Sequence, residues 1–443
     1  MRYHARWVLP ITQPPIENGT VVETGGSITY VGPRASAPAG PDRDLGDVIL
    51  LPGLINTHTH LELTVMRGFL EDCGFATWID KLRQSRNEVL DDASLLDSAR
   101  FGIVEGLEAG ITTYADTCSS GIAMQAMKEL GVRGVMYQEV FGPDPSQAKI
   151  AMDDLERRID LLQPEQTDLV TLGVSPHAPY TVSDALYDAT AAFADSRGLP
   201  LAMHIAESAA EHRVVTEGSG DFADRLRRRG IGVDPRARSP IELLEKRGAL
   251  ERGPLLIHCV RVDDADIQIM SRHRCAVAHC PASNAKFGHG IAPLLDLLAA
   301  GIRVGLGSDS VASNNRMDIL DEARLAVLIH RAATRKHDAF GSHQALELAT
   351  IGGARALGVD DRVGSLEVGK DADLAAFRID IARTTPVGDP HSAAIFALAG
   401  RSAETVVVRG KVLAEKGRVV AADPALAGRV RATGTALSTW AAK

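Results

Sequence analysis

Val48-Ile49-Leu50-Leu51-Pro52-Gly53-Leu54-Ile55-Asn56-Thr57-His58-Thr59-His60 begins as an apolar run and ends in two histidines. Two residues apart on an extended segment, the two imidazoles point to the same face. Both can then bind one divalent ion through neutral ring nitrogens. Taken alone, the pair reads equally well as two histidines at a loop edge, so the rest of the chain has to decide. Three further runs are short, apolar and bounded by Gly or Pro, as expected of buried parallel strands. Pro200-Leu201-Ala202-Met203-His204-Ile205-Ala206-Glu207 delivers a third histidine and a carboxylate. Gly253-Pro254-Leu255-Leu256-Ile257-His258 delivers a fourth histidine, and Gly301-Ile302-Arg303-Val304-Gly305-Leu306-Gly307-Ser308-Asp309 ends in an aspartate. Four polar termini of this kind in one chain are not explained by packing.

Working outward, eight such runs alternate with helical patterns. They lie near residues 53–57, 111–116, 132–139, 169–174, 201–205, 255–258, 275–279 and 302–306, with helical patterns at 79–109, 152–162, 183–196 and 291–300. Strand then helix, eight times over, predicts the α/β class and a closed (β/α)8 TIM barrel, whose active site lies at the carboxyl ends of the strands. The candidate residues fall at those ends. The two ends of the chain read as short alternating segments with turn signals, such as Glu17-Asn18-Gly19 and Gly369-Lys370-Asp371. Neither is large enough for a good core alone. The expected division is a small β-sandwich domain built from both termini, residues 1–52 and 364–443, flanking a metal-dependent hydrolase barrel at 53–363.

The 443 residues suit a barrel with an appendage, and 45% hydrophobic residues supply a large core. A formal net charge of −9 argues against a nucleic-acid or anionic-membrane partner. The start of the chain has no long apolar stretch with a small-residue cleavage site. No segment reaches the roughly 18 apolar residues of a membrane span. The expectation is a soluble, cytoplasmic protein with no membrane partner. The five cysteines show no CxxC spacing and fit reduced thiols. Cys259 and Cys280 adjoin histidines but read as small buried apolar residues.

In order along the chain, the residues 51–60 and Ser175-Pro176-His177-Ala178-Pro179-Tyr180-Thr181 come first, then His204 to Glu207 and His258-Cys259-Val260. Ala278-His279-Cys280-Pro281-Ala282-Ser283-Asn284, Gly307 to Asn315 and Gly364 to Leu374 follow. Together they resemble the amidohydrolase superfamily, in its branch of aminohydrolases and chlorohydrolases acting on nitrogen heterocycles. The resemblance implies that His58, His60, His204 and Asp309 bind one divalent metal, Zn²⁺ or Fe²⁺. No lysine follows a strand where two-metal relatives carry a modified lysine bridge, which favours a mononuclear site. It also implies that the metal lowers the pKa of a water, that Asp309 takes that water's proton and that His258 hydrogen-bonds the attacking oxygen. Glu207 would protonate the ring nitrogen beside the attacked carbon and help ammonia depart. His177 would touch substrate, and His279 would support the site from behind. His4, His212, His273, His289, His330, His337, His343 and His391 read as surface or structural.

Glu207 favours deamination over dechlorination, because chloride leaves without a proton. In adenosine-type relatives an acidic residue precedes the tryptophan, whereas here Thr77 precedes Trp78, and methylthioadenosine-type members usually show small apolar residues where this chain has Leu61-Glu62-Leu63; both departures point away from unmodified adenosine. Glu62 either reads a polar substrate edge or pairs with an arginine such as Arg67. The Leu-Glu-Leu segment and Phe75-Ala76-Thr77-Trp78-Ile79 are similar to the aminodeoxyfutalosine deaminases, which makes Trp78 a further substrate-binding candidate. The expected partner is a small heterocyclic molecule, and the expected assembly a homo-oligomer. Hydrolysis of a C–Cl bond or cyclic amide, or a non-catalytic barrel scaffold, are the alternatives.

Overall fold

A parallel strand reaches its neighbour only through a long crossover, so a buried parallel sheet must be interleaved with helices. The computed structural model, which describes residues 1–442, has this alternation through its centre. Five strands come first: β1 (Arg2–Val8), β2 (Ile16–Thr24), β3 (Ser27–Pro33), β4 (Asp42–Asp44) and β5 (Val48–Pro52). Eight central strands follow: β6 (Leu54–Thr59), β7 (Ile111–Cys118), β8 (Arg133–Val140), β9 (Val170–Pro176), β10 (Ala202–Ile205), β11 (Leu255–His258), β12 (Ala276–His279) and β13 (Arg303–Leu306). The last four are β14 (Leu374–Arg378), β15 (Thr405–Val408), β16 (Lys411–Glu415) and β17 (Arg418–Val419).

Strands β6 to β9 form one parallel sheet in chain order, and β10 to β13 form another. Every residue of β6, β7, β8, β10, β11 and β12 is buried, as in strands covered on both faces. The eight runs expected from the sequence coincide with these strands. An isolated bridge and a backbone hydrogen bond connect the two sheets. Val174 of β9 bridges in parallel to Leu201 just before β10, and the Asp309 N–H beyond β13 donates to the His58 carbonyl of β6 at 2.9 Å. Gly305 permits this second approach, since a Cβ there would stand 2.4 Å from Thr57 Cγ2.

Polar caps start the covering helices. Ser183, Asp263 and Asp318 each accept backbone N–H groups at the first turn of Asp184–Arg197, Asp264–Arg272 and Ile319–Thr334. The single helical pattern expected over 79–109 is instead two helices, Phe75–Val89 and Asp92–Glu108. Asp91 and Ser94 form a reciprocal capping box, with both bonds at 2.9 Å. That box starts a new helix more favourably than Leu90 continues the old one.

The terminal strands lie in one nine-stranded sheet, ordered β17-β16-β15-β14-β5-β1-β2-β3 with β4 beside β1. The two ends of the chain meet where β5 and β14 run antiparallel, from Pro52 opposite Leu374 to Val48 opposite Arg378. Arg133 of β8 ties this sheet to the central strands: its Nε donates to Asp373 at 3.0 Å and its Nη2 to Asp371 at 2.7 Å. The chain beyond Val363 is not all strand, however. Helix Leu426–Ala441 leaves the terminal sheet and packs on Phe75–Val89 and Asp92–Glu108. Its Leu437 is buried with Leu63, Val65, Met66, Leu70 and Trp78, and its Trp440 indole donates to Glu88 at 2.7 Å. Among the described residues no helix is long and apolar enough to cross a membrane.

Candidate active site

The carboxyl ends of β6, β10, β11 and β13 converge, and each brings a side chain identified in the sequence. His60 Nε2 stands 3.2 Å from His204 Nε2 and 3.6 Å from Asp309 Oδ1. His58 Nε2 lies 3.2 Å from the same Asp309 oxygen. Four ligand atoms bound tetrahedrally at ordinary Zn–N and Zn–O lengths would be about 3.3 Å apart, so the spacing fits one divalent ion. His204 Nδ1 faces the His177 carbonyl at 3.3 Å and His60 Nδ1 faces Thr117 Oγ1 at 3.2 Å. Donating there leaves each Nε2 with its lone pair turned to the shared point.

The electrostatics agree with the spacing. Burial lowers His58 to about 4 and holds His60 and His204 below the usual imidazole range. Burial alone would raise the Asp309 carboxyl, but the His58 hydrogen bond and the neighbouring imidazoles hold it well below the usual carboxylate range. Neutral lone pairs and a carboxylate aimed at one another repel unless a cation lies between them. Asp309 is further fixed by Ser283 Oγ at 2.6 Å and Ser313 Oγ at 2.9 Å, both donating to Oδ2, and by the Ser310 N–H at 2.7 Å on Oδ1. Another trio, Glu139, His177 and His204, also has its ligand atoms within 4.8 Å. It shares His204, whose two nitrogens are already committed.

Backbone strain gathers at the same strand ends. Ala206, His258, Cys259 and Asp309 all have positive φ, from 48° to 77°. Each costs about 1–3 kcal/mol and persists only where the surrounding fold enforces it. The turn at Ala206 carries Glu207, whose backbone N–H and that of Ala206 donate to Glu211 at 2.8 and 2.7 Å. Glu207 Oε1 then stands 3.6 Å from His258 Nε2 and 3.4 Å from His289 Nε2. His258 is oriented by its other nitrogen, 3.0 Å from Asn284 Oδ1.

These groups open into a cavity of about 940 Å³. His177 lines it; burial drives its pKa down to about 3, and its Nδ1 is 2.8 Å from Thr181 Oγ1. Trp78 lines it too, in an aromatic wall with Phe75, Tyr180 and Phe287. Glu62 is only 3% exposed yet lines the same cavity. It pairs not with Arg67, which turns away to Glu105, but with Arg86, whose Nε and Nη2 lie 3.2 and 3.0 Å from Oε1. Cys118, Ser119 and Ser120 also donate to it. Burial would raise the Glu62 carboxyl, but Arg86 and these donors hold it below its ordinary value.

Four residues of the site were not singled out from the sequence. Glu139 at the end of β8 lines the cavity, and burial followed by the charge of Glu62 raises it to about 8. Glu211 and Asn284 hold Glu207 and His258, and His289, expected at the surface or in a structural setting, lies 3.4 Å from Glu207. Asn284 and Glu211 lie in or beside quoted motifs, where a buried polar residue next to a catalytic candidate was the available signal. His279 is buried and lowered to about 3, but neither ring nitrogen bonds any other site residue.

The sequence profile of the amidohydrolase family matches residues 49–413. The chain belongs to the amidohydrolase family. This amidohydrolase is 32% identical, over 94% of each chain, to a 5-methylthioadenosine/S-adenosylhomocysteine deaminase of Moorella thermoacetica. Its structure superposes on an adenosine deaminase of Xanthomonas campestris with bound zinc, at a TM-score of 0.88 and 28% identity, covering 99% of this chain and 98% of that one. It also superposes on the zinc complex of the atrazine chlorohydrolase of Arthrobacter aurescens, at 0.84 and 28%, covering 99% of both.

Proposed function

We propose that this amidohydrolase is a zinc-dependent deaminase of a purine nucleoside modified at the ribose 5′ position, with aminodeoxyfutalosine within that class, and that it releases ammonia. The observation that carries the reading is Glu207, set 3.6 Å from His258 Nε2 beside the four-ligand cluster. The deaminase relative over nearly the whole chain and the zinc-bound structural neighbours support it.

A zinc ion held by His58, His60, His204 and Asp309 supplies Lewis-acid charge that eases deprotonation of the attacking water. Asp309 takes the water proton. His258, donating through Nδ1–H to Asn284 Oδ1, turns Nε2 to the attacking oxygen and stabilises the tetrahedral centre. Glu207 carries the remaining hydroxyl proton to the ring nitrogen next to the attacked carbon, and the proton held by Asp309 passes to the amino group, which departs as ammonia. His177 and Trp78 hold the heterocycle. Glu62, tied to Arg86, presents ionised oxygens to a polar substrate edge at the far side of the cavity.

The architecture proposed with this reading is a closed (β/α)8 barrel over residues 53–363, supported by the bridge and the hydrogen bond that connect its two sheets. Residues 1–52 and 364–425 are assigned to a composite domain, and the helix Leu426–Ala441 to the barrel that it packs on. The sheet of the composite domain folds over Tyr3, Val8, Val21, Ile28, Leu50 and Leu374 as a β-sandwich, supported by the burial of these side chains as one cluster. The working state proposed is a cytoplasmic homo-oligomer, which light scattering on the purified protein tests.

The test of function is release of ammonia, and of chloride where the substrate carries it, from 5-methylthioadenosine, 5′-deoxyadenosine, aminodeoxyfutalosine, adenosine and a chlorinated aminotriazine, with Glu207→Gln as the paired variant. Turnover on the preferred nucleoside should fall by about 10²- to 10⁴-fold in the variant, with metal content retained. Undiminished turnover would overturn the role of Glu207, and chloride release without ammonia release would overturn the deaminase reading.

A further inference from the structure

Glu207 can act as a proton carrier only if its carboxylate stays aimed at the substrate nitrogen while His258 is engaged with the attacking oxygen. In the structure two imidazoles lie within ion-pair reach of Glu207 Oε1, His258 at 3.6 Å and His289 at 3.4 Å. The first is needed elsewhere during the reaction. The second is not, and it does not line the cavity.

The position of His289 is built. Gly288 and Gly290 flank it at φ 66° and 114°, a conformation that side chains rarely adopt. Its backbone N–H donates to the Asn284 carbonyl at 2.9 Å, so one residue anchors the His289 loop through its backbone and His258 through its side chain. The ring lies edge-on against Phe75 at 4.7 Å and nearly parallel to Phe287 at 5.3 Å. Its side chain is only 5% exposed, and Nε2 is buried without a hydrogen-bond partner, 3.4 Å from the Glu207 carboxylate.

We propose that His289 is a positioning residue for Glu207. Its Nε2–H holds Oε1 when the substrate closes the gap, leaving Oε2 to carry the proton to the ring nitrogen. The inference rests on the proposed deaminase reading. It also links the acid to the aromatic wall, because Phe75, against which the His289 ring is packed, opens the helix that carries Trp78.

The experiment compares His289→Phe, which keeps an aromatic ring between Phe75 and Phe287 but has no N–H, with His289→Gln, whose amide reaches to about the place of Nε2. Both are assayed on 5-methylthioadenosine and on its 6-chloro counterpart, alongside Glu207→Gln, with metal content and melting temperature measured for each. His289→Phe should lower kcat on the amino substrate by about 10- to 100-fold, with KM changed less than about threefold. The loss on the chloro substrate should be smaller, since chloride needs no proton, and His289→Gln should recover most of kcat. If His289→Phe folds poorly, His289→Asn, too short to reach Oε1, replaces it. Parent-like kcat in the variant lacking the donor, or equal losses on both substrates, would overturn the inference while leaving the role of Glu207 intact. If Glu207→Gln itself loses nothing, the underlying reading fails and this inference falls with it.

Discussion

Ser283→Ala removes one hydroxyl and nothing else from the wall behind the proposed metal ligands. Ser283 is fully buried, and its Oγ donates to Asp309 Oδ2 at 2.6 Å, the shorter of the two hydroxyl bonds that oxygen accepts. The alanine leaves too little room for water, so the bond is lost without replacement. A hydrogen bond to a charged group is worth about 1.5–3 kcal/mol. Without metal, Asp309 can turn, whereas with metal it must keep its geometry, so most of the cost falls on the bound state. About 1.4 kcal/mol is a factor of ten, which predicts zinc affinity weakened by about 10- to 100-fold, the range seen when groups that support metal ligands are lost. Competition with a chromogenic chelator measures it. Turnover at saturating zinc should remain within about fivefold of the parent, since no proton-transfer group is touched. An affinity within twofold of the parent, in a protein whose Asp309→Ala variant loses its metal, would refute the claim that the serine hydroxyls orient the carboxylate.

Two further outcomes follow from the same geometry. Glu139, raised to about 8 by burial and then by Glu62, keeps a proton in the folded state that the unfolded chain releases near pH 4.5. Its contribution to stability is therefore complete below that pH and lost as pH rises through 8; Glu139→Gln should flatten the fall in denaturation midpoint between pH 5 and 9, and an unchanged slope would count against the shift. Removing residues 426–443 should uncover the Leu63, Val65, Met66 and Trp78 face and raise KM for the nucleoside by about 10- to 100-fold with metal retained. An unchanged KM would show that the last helix does not support the pocket wall.

The central strands and the convergence of His58, His60, His204 and Asp309 were legible because both depend on short-range rules. A strand buried on both faces is a run of apolar residues, and a site at the carboxyl end of such a strand leaves its polar residue next to the run, as with His204, His258 and Asp309. What could not be read depends on long-range placement. Glu62 meets Arg86 rather than Arg67 because the helix Phe75–Val89 swings Arg86 inward. The part played by His289 comes from two glycine turns that bring it to a carboxylate far away in sequence. The last helix was hidden by Gly428 and Gly434, which weaken its helical signal. The break at Asp91 was written in the sequence as a capping box, but a continuous helical pattern masked it.

The pairing of β5 with β14 has a consequence for how the protein is made. Pro52 ends β5, and its partner Leu374 emerges only after some 320 further residues. At a synthesis rate of about 5–20 residues per second, that interval is roughly 15 to 65 s. Throughout it the buried row Val48 to Leu51 has no neighbour on one edge. The nascent chain must therefore be shielded by chaperones, or delay its first strands until its last ones leave the ribosome. Premature termination anywhere before Leu374 leaves a product with an open apolar edge, well suited to capture by the degradation machinery.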